Sequence, residues 1–231
     1  MALSNPAPFL ALAIYPASVL LGSFNPVEFW WSLNLARRGL PYGQPMPSLL
    51  KNEADAVGRY LSFAADLLIL GFVTFLSRRL SISSARIGLH LINWKHDAVV
   101  GIAAGSAEIA VAGLVLRKVP IDPKHDFTYR VRSGSPLLWV LILTAASFAE
   151  ELWIALCVRA IPYSPVVSIT LIVLVFAAMH HRYRLWGAAA VAVKGTISAL
   201  LFLHFGSLVV TFPYHLLGNL GSLYFNRYWR R

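Results

Sequence analysis

Charge is what this sequence has least of. Asp, Glu, Lys and Arg make up 13% of its 231 residues, against 58% hydrophobic residues. A soluble domain carries about 25% charged residues, because a water-facing surface needs them. The apolar residues here stand in long runs, and about 18 in succession are enough for a helix to cross a bilayer. A soluble core therefore loses to a membrane-spanning reading. Cysteine is nearly absent too. Cys157 alone excludes an intrachain disulfide and a thiolate metal cluster within one chain, and its plainest role is that of a small buried hydrophobe. The first eight residues contain no Lys or Arg, so the basic start of a secretory signal is missing and Pro8–Phe24 is expected to be a retained span.

The net charge of +10 raises the question of nucleic acid, and the placement of the charges answers it. Arg78 and Arg79, Arg117 and Lys118, Arg182 and Arg184, and Arg227 to Arg231 flank apolar segments. That is the pattern of membrane spans, and no basic helix or Gly-rich loop resembles a nucleic-acid module.

The expected fold is all-α: a polytopic transmembrane bundle of about seven spans plus an interfacial helix, forming a single membrane domain over residues 1–231. The spans fall at about Pro8–Phe24, Ala56–Ser77, Asp97–Leu116, Pro136–Val158, Ser164–His181, Leu185–Phe205 and Ser207–Phe225. Pro26–Arg38, with Phe29, Trp30 and Trp31 and terminal arginines, suits an interfacial helix. Leu40–Pro47 reads as a turn-rich loop, Arg78–His96 as a polar stretch able to form a short surface helix, and Lys118–Ser135 as the most polar loop. With the N-terminus outside, 14 Lys and Arg residues lie on the inner side and 5 on the outer, which favours N-out, C-in.

Ionisable groups within spans are costly, roughly 2.5–3.5 kcal/mol for Asp, Lys or Arg at a helix centre, and are functional candidates for that reason. The set is Asp66, Glu108, Glu150, Glu151, His180, His181, Lys194, His204 and His215. Glu150 and Glu151 lie about 14 residues into their span, roughly 21 Å along the helix. Two adjacent carboxylates at that depth cannot both ionise without partners, and such a group suits a general base better than it suits packing. Phe176 and His180 are spaced i and i+4 and share a helix face, so Phe176 can wall a site that His180 enters. His181 and His204 stand at span ends, where structural roles are ordinary. His215 and Asn219 are again i and i+4, and together they offer N–H donors for an oxyanion. His215 is equally a metal ligand by type, and a pair between Glu108 and Lys194 would satisfy both charges.

Taken in order, Glu150-Glu151, Phe176-x3-His180 and His215-x3-Asn219 resemble the CPBP family of intramembrane endopeptidases, the CAAX-processing and bacteriocin-processing proteins. The likeness covers Pro136–Phe225 as a catalytic four-helix core, and Ile87-Gly88-Leu89-His90-Leu91 through Trp94 to Asp97 looks like the family's lead-in. The resemblance implies that Glu150 activates water, Glu151 supports it, His180 works with it, Phe176 borders the substrate, and His215 and Asn219 hold the oxyanion. It implies a membrane-anchored protein or peptide substrate cut near its C-terminus, and a bacterial-type plasma membrane. No cofactor is implied by the glutamate-dependent reading; if zinc is used, Glu150, His180 and His215 would hold it. One position departs from the motif: its arginine falls at Ala155. Ala155 favours an alternative, a non-catalytic membrane scaffold or bacteriocin-immunity protein that retains the fold. If Glu151 is paired despite Ala155, Lys194 is the expected cation; otherwise Glu151 is neutral.

Overall fold

The computed structural model describes residues 6–41, 44–116, 136–180 and 184–228. Eight helices occupy them: α1 (Ala7–Ser23), α2 (Pro26–Arg37), α3 (Ser48–Arg79), α4 (Trp94–Leu116), α5 (Pro136–Ala160), α6 (Pro165–Met179), α7 (Arg184–Phe205) and α8 (Leu208–Tyr228). No strand occurs among the described residues. The loop expected at Lys118–Ser135 and His181 lie outside them.

Four helices are long and apolar enough to cross a membrane, within Ser48–Arg79, Trp94–Leu114, Leu137–Ala160 and Ala188–Phe205. Two shorter apolar segments, Pro8–Leu20 and Pro165–Met179, accompany them. The surface agrees with an apolar solvent. Leu67, Leu68, Val99, Val111, Leu141, Leu174, Val193 and Leu200 all point outward. A water-soluble protein hides such residues and exposes its charges. Here Glu151 and His215 are buried instead.

α5 is the hub. It packs against α1, α3, α6, α7 and α8. Trp153, Ile154, Ala155, Leu156 and Cys157 are successive residues, so they face all around the helix, and all are fully buried. A helix enclosed on every side is apolar on every side, which explains the near-continuous hydrophobic run of the sequence there. The expected role of Cys157 as a buried small hydrophobe holds.

α4 meets α8 through small residues. A Cβ on Gly101 would collide with the Val210 carbonyl, and one on Gly105 would meet Leu217 Cβ at 2.9 Å. Glycines four apart form a flat stripe that lets two backbones touch, the common device for helix association in lipid.

Two boundaries differ from expectation. α3 begins at Ser48, two turns before the apolar run, because its polar first turns continue the same helix. No surface helix forms within Arg78–His96: α3 ends at Arg79, Leu80 to Asn93 is turns and irregular backbone, and α4 begins at Trp94. Gly88 adopts φ +84, and its carbonyl accepts from Leu208 N at 3.1 Å. A Cβ there would press on Leu208 N at 2.8 Å, so only glycine fits. His90 Nε2 lies 3.0 Å from Gly206 O, and Arg159 Nε donates to Arg86 O at 3.0 Å. The segment is a clamp on the α7–α8 turn.

Pro26–Arg38 does form a helix, α2. Asn25 caps it by accepting from Val27 N and Glu28 N, with Pro26 at its first position. The Asn25 amide donates to Ala54 O at 2.7 Å and ties α2 to α3. Phe29 and Trp30 remain exposed.

Candidate active site

α5 presents Glu150 and Glu151 side by side, and α8 presents His215 to both. Successive helix positions diverge by about 100°, so one ring aimed at the seam between two neighbours can touch each. His215 Nε2 lies 2.9 Å from Glu150 Oε2, and Nδ1 lies 2.5 Å from Glu151 Oε1. Each contact needs one hydrogen between its atoms, whereas a neutral imidazole brings only one. His215 bridges the two carboxylates, one at each ring nitrogen.

The remaining carboxylate oxygens are also engaged. Tyr15 on α1 donates its hydroxyl to Glu150 Oε1 at 2.8 Å. Ser198 on α7 donates to Glu151 Oε2 at 2.5 Å. The two acids differ in access: the Glu151 side chain is 0% exposed and that of Glu150 13%. Glu150 is the less enclosed of the two.

Aromatic rings wall the site. Phe176 is buried and stands edge-on to His215, with ring centres 6.1 Å apart. Its ring centre lies 4.7 Å from that of His180. Tyr15 and Trp153 stack at 4.8 Å. His180 comes at the end of α6, its Nδ1 2.8 Å from Phe176 O, and lies within electrostatic reach of Glu150. The i, i+4 pairing of Phe176 with His180 thus forms one wall.

Asn219 is placed less simply. Its amide nitrogen donates to Ser147 Oγ at 2.9 Å, and its oxygen accepts from Lys194 Nζ at 2.7 Å. The expected pair of donors, His215 and Asn219 aimed at one point, is not formed: the His215 nitrogens face carboxylates and the Asn219 amide faces Ser147. Lys194 departs from expectation as well. It donates to Asn219 and to His215 O at 3.1 Å, while both Glu151 oxygens are taken by His215 and Ser198. No pair between Lys194 and Glu151 forms. The suggested partner Glu108 lies against Gly218 on α8, and its Oε2 has no hydrogen-bond partner.

Among the described residues, no group of three His, Cys, Asp or Glu side chains is arranged to hold a metal ion. Glu150, His180 and His215 are not gathered as ligands, since His215 directs both ring nitrogens to carboxylates. Asp66 on α3 is half-buried and close enough to Glu150 for their charges to interact.

Tyr15, Ser147 and Ser198 belong to the site, and none was singled out in the sequence. Ser and Tyr are ordinary in apolar helices, and nothing in their spacing sets these three apart. Comparison of the chain with family models, curated proteins and solved structures finds no match.

Proposed function

We infer that the protein is an intramembrane endopeptidase of CPBP type that cuts membrane-anchored chains near their C-terminus. The observation that carries this reading is His215 set between Glu150 and Glu151 inside an apolar bundle. Buried charge of this kind is retained where chemistry needs it. In this reading a water molecule loses a proton to Glu150 as its oxygen attacks the substrate carbonyl carbon. The carbonyl becomes an oxyanion, which Asn219 binds after exchanging Ser147 for it. The proton then passes from Glu150 to the departing amine, and the peptide bond breaks. His180 and the His215 unit hold the charge of Glu150 through the cycle.

The same reading takes α1, α3, α4, α5, α6, α7 and α8 as seven spans, with α2 on the membrane surface. The N-terminus is outside and the C-terminus inside a bacterial-type plasma membrane. Substrates carry either a prenyl group or a plain apolar tail.

The second reading, a non-catalytic scaffold or bacteriocin-immunity protein, draws on Ala155 and on the enclosure of His215, which is 2% exposed. One experiment separates the two. Protein in lipid nanodiscs is given two quenched fluorescent peptides, one ending in a farnesylated Cys-a-a-X box and one in an unmodified apolar tail. The peptidase reading expects cleavage of at least one near its C-terminus, abolished by Glu150→Ala. Cleavage of neither, or cleavage indifferent to Glu150→Ala, would leave the scaffold reading standing.

A further inference from the structure

We propose that Tyr15 and Ser198 are positioning residues for the two glutamates, doing from α1 and α7 what the arginine missing at Ala155 would do from α5. The proposal rests on the peptidase reading above for its kinetics, though its geometry stands apart from it.

Serine and threonine within helices ordinarily return their hydroxyl to the backbone carbonyl four residues back. This chain follows that habit repeatedly: Ser77 bonds Val73 O, Thr170 bonds Val166 O and Thr196 bonds Ala192 O. Ser198 does not. It leaves Lys194 O, which Tyr214 approaches instead at 3.5 Å, and crosses to Glu151. A fully buried hydroxyl with a local acceptor at hand has been directed to a carboxylate on another helix.

Tyr15 is fixed with similar care. Trp153 Nε1 donates to Ala11 O at 2.7 Å and latches α1 to α5 one turn before Tyr15. The Tyr15 ring then stacks on Trp153 and lies 5.7 Å from Phe176. With the ring packed on two aromatics, the hydroxyl reaches Glu150 Oε1. The result is symmetrical: each carboxylate accepts from one hydroxyl and meets one His215 nitrogen. An arginine on α5 would hold one acid by charge and by paired donors. Two hydroxyls hold both acids by direction alone, from helices on either side of α5.

The test uses full-length protein in nanodiscs with Tyr15→Phe, Ser198→Ala and, as control, Thr196→Val. The first keeps the stacked ring, the second removes one oxygen, and the third removes a hydroxyl that serves only its own helix. On the farnesylated peptide, Tyr15→Phe and Ser198→Ala should each lower kcat about tenfold with KM within about twofold, as for a lost hydrogen bond to a charged group. Thr196→Val should match wild type. Dicyclohexylcarbodiimide, which attacks protonated carboxyls, gives a second readout independent of turnover. Glu150 should be labelled faster in Tyr15→Phe and Glu151 faster in Ser198→Ala, because each has lost a donor to its ionised form. Melting temperatures establish that the variants are folded; if Ser198→Ala is not, Tyr15→Phe decides. Wild-type kcat together with wild-type labelling would overturn the proposal. If the parent protein cleaves neither peptide, the peptidase reading fails and labelling alone decides: faster labelling supports the positioning role, and unchanged labelling refutes it.

Discussion

Lys194 Nζ donates to Asn219 Oδ1 at 2.7 Å, and so grips α8 one turn beyond His215 rather than touching either glutamate. Its second bond, to His215 O, holds the same helix. Lys194 is therefore a brace for α8. Replacing it by Met leaves Asn219 Oδ1 without its donor and should lower stability by about 1.5–3 kcal/mol, the scale of a hydrogen bond to a charged group. Thermal melts in detergent measure this. A melting temperature equal to that of the parent would show that the brace carries no load.

Position 155 has no room for an arginine. Ala155 is 0% exposed and sits in the main hydrophobic cluster. Ala155→Arg would insert a long charged side chain where no space exists, a change of the kind that costs several kcal/mol. The variant should melt well below the parent, and adding it to Lys194→Met should lower the melt further. Rescue of Lys194→Met by Ala155→Arg would mean that the missing cation, not the brace, is what Lys194 supplies.

The α4–α8 contact makes a prediction remote from the glutamates. Gly101 lies against the Val210 backbone with no room for a Cβ. Gly101→Val should force the helices apart and destabilise by about 1–3 kcal/mol or more, as overpacking does. Gly71, whose Cβ would meet nothing, serves as the comparison. Gly71→Ala should melt within a few degrees of the parent, and equal melts for the two variants would contradict the close-packed seam.

Much of the fold was legible because punctuation and apolar runs coincide. α5, α6, α7 and α8 begin within a residue of the expected Pro136, Ser164, Leu185 and Ser207. The segment Arg78–His96 was not legible. Its Ile87 is buried against other parts of the chain, while Leu91 and Ile92 are 71% and 80% exposed. A periodicity argument cannot see a loop whose apolar residues serve tertiary contacts. The start of α3 was missed because hydropathy marks where a helix is apolar, not where it begins. In the site, the costly residues announced themselves: Glu150, Glu151, Lys194 and His215 are improbable inside spans. Their partners did not. Lysine has a long flexible reach, so its presence was visible and its target was not. Ser198 and Tyr15 become significant only through what lies opposite them in space.

Metal removal bears on the ligand question. His215 faces a carboxylate at each nitrogen, so zinc bound by Glu150, His180 and His215 would require the ring to give one of them up. Treatment with phenanthroline should leave peptide cleavage unchanged. Activity lost to chelation and regained only with added zinc would replace the glutamate-dependent account with a metal-dependent one.

In the peptidase reading Glu150 activates water and is not itself the nucleophile. Cleavage carried through many turnovers in heavy-oxygen water, followed by mass spectrometry of product and protein, addresses it most directly. Direct attack by water places one heavy oxygen in the new C-terminal carboxylate of the product and none in Glu150, and Glu150→Gln forms no product. Heavy oxygen in the Glu150 side chain would reveal an acyl-enzyme formed on that carboxylate, and labelled product from Glu150→Gln would remove Glu150 from the mechanism.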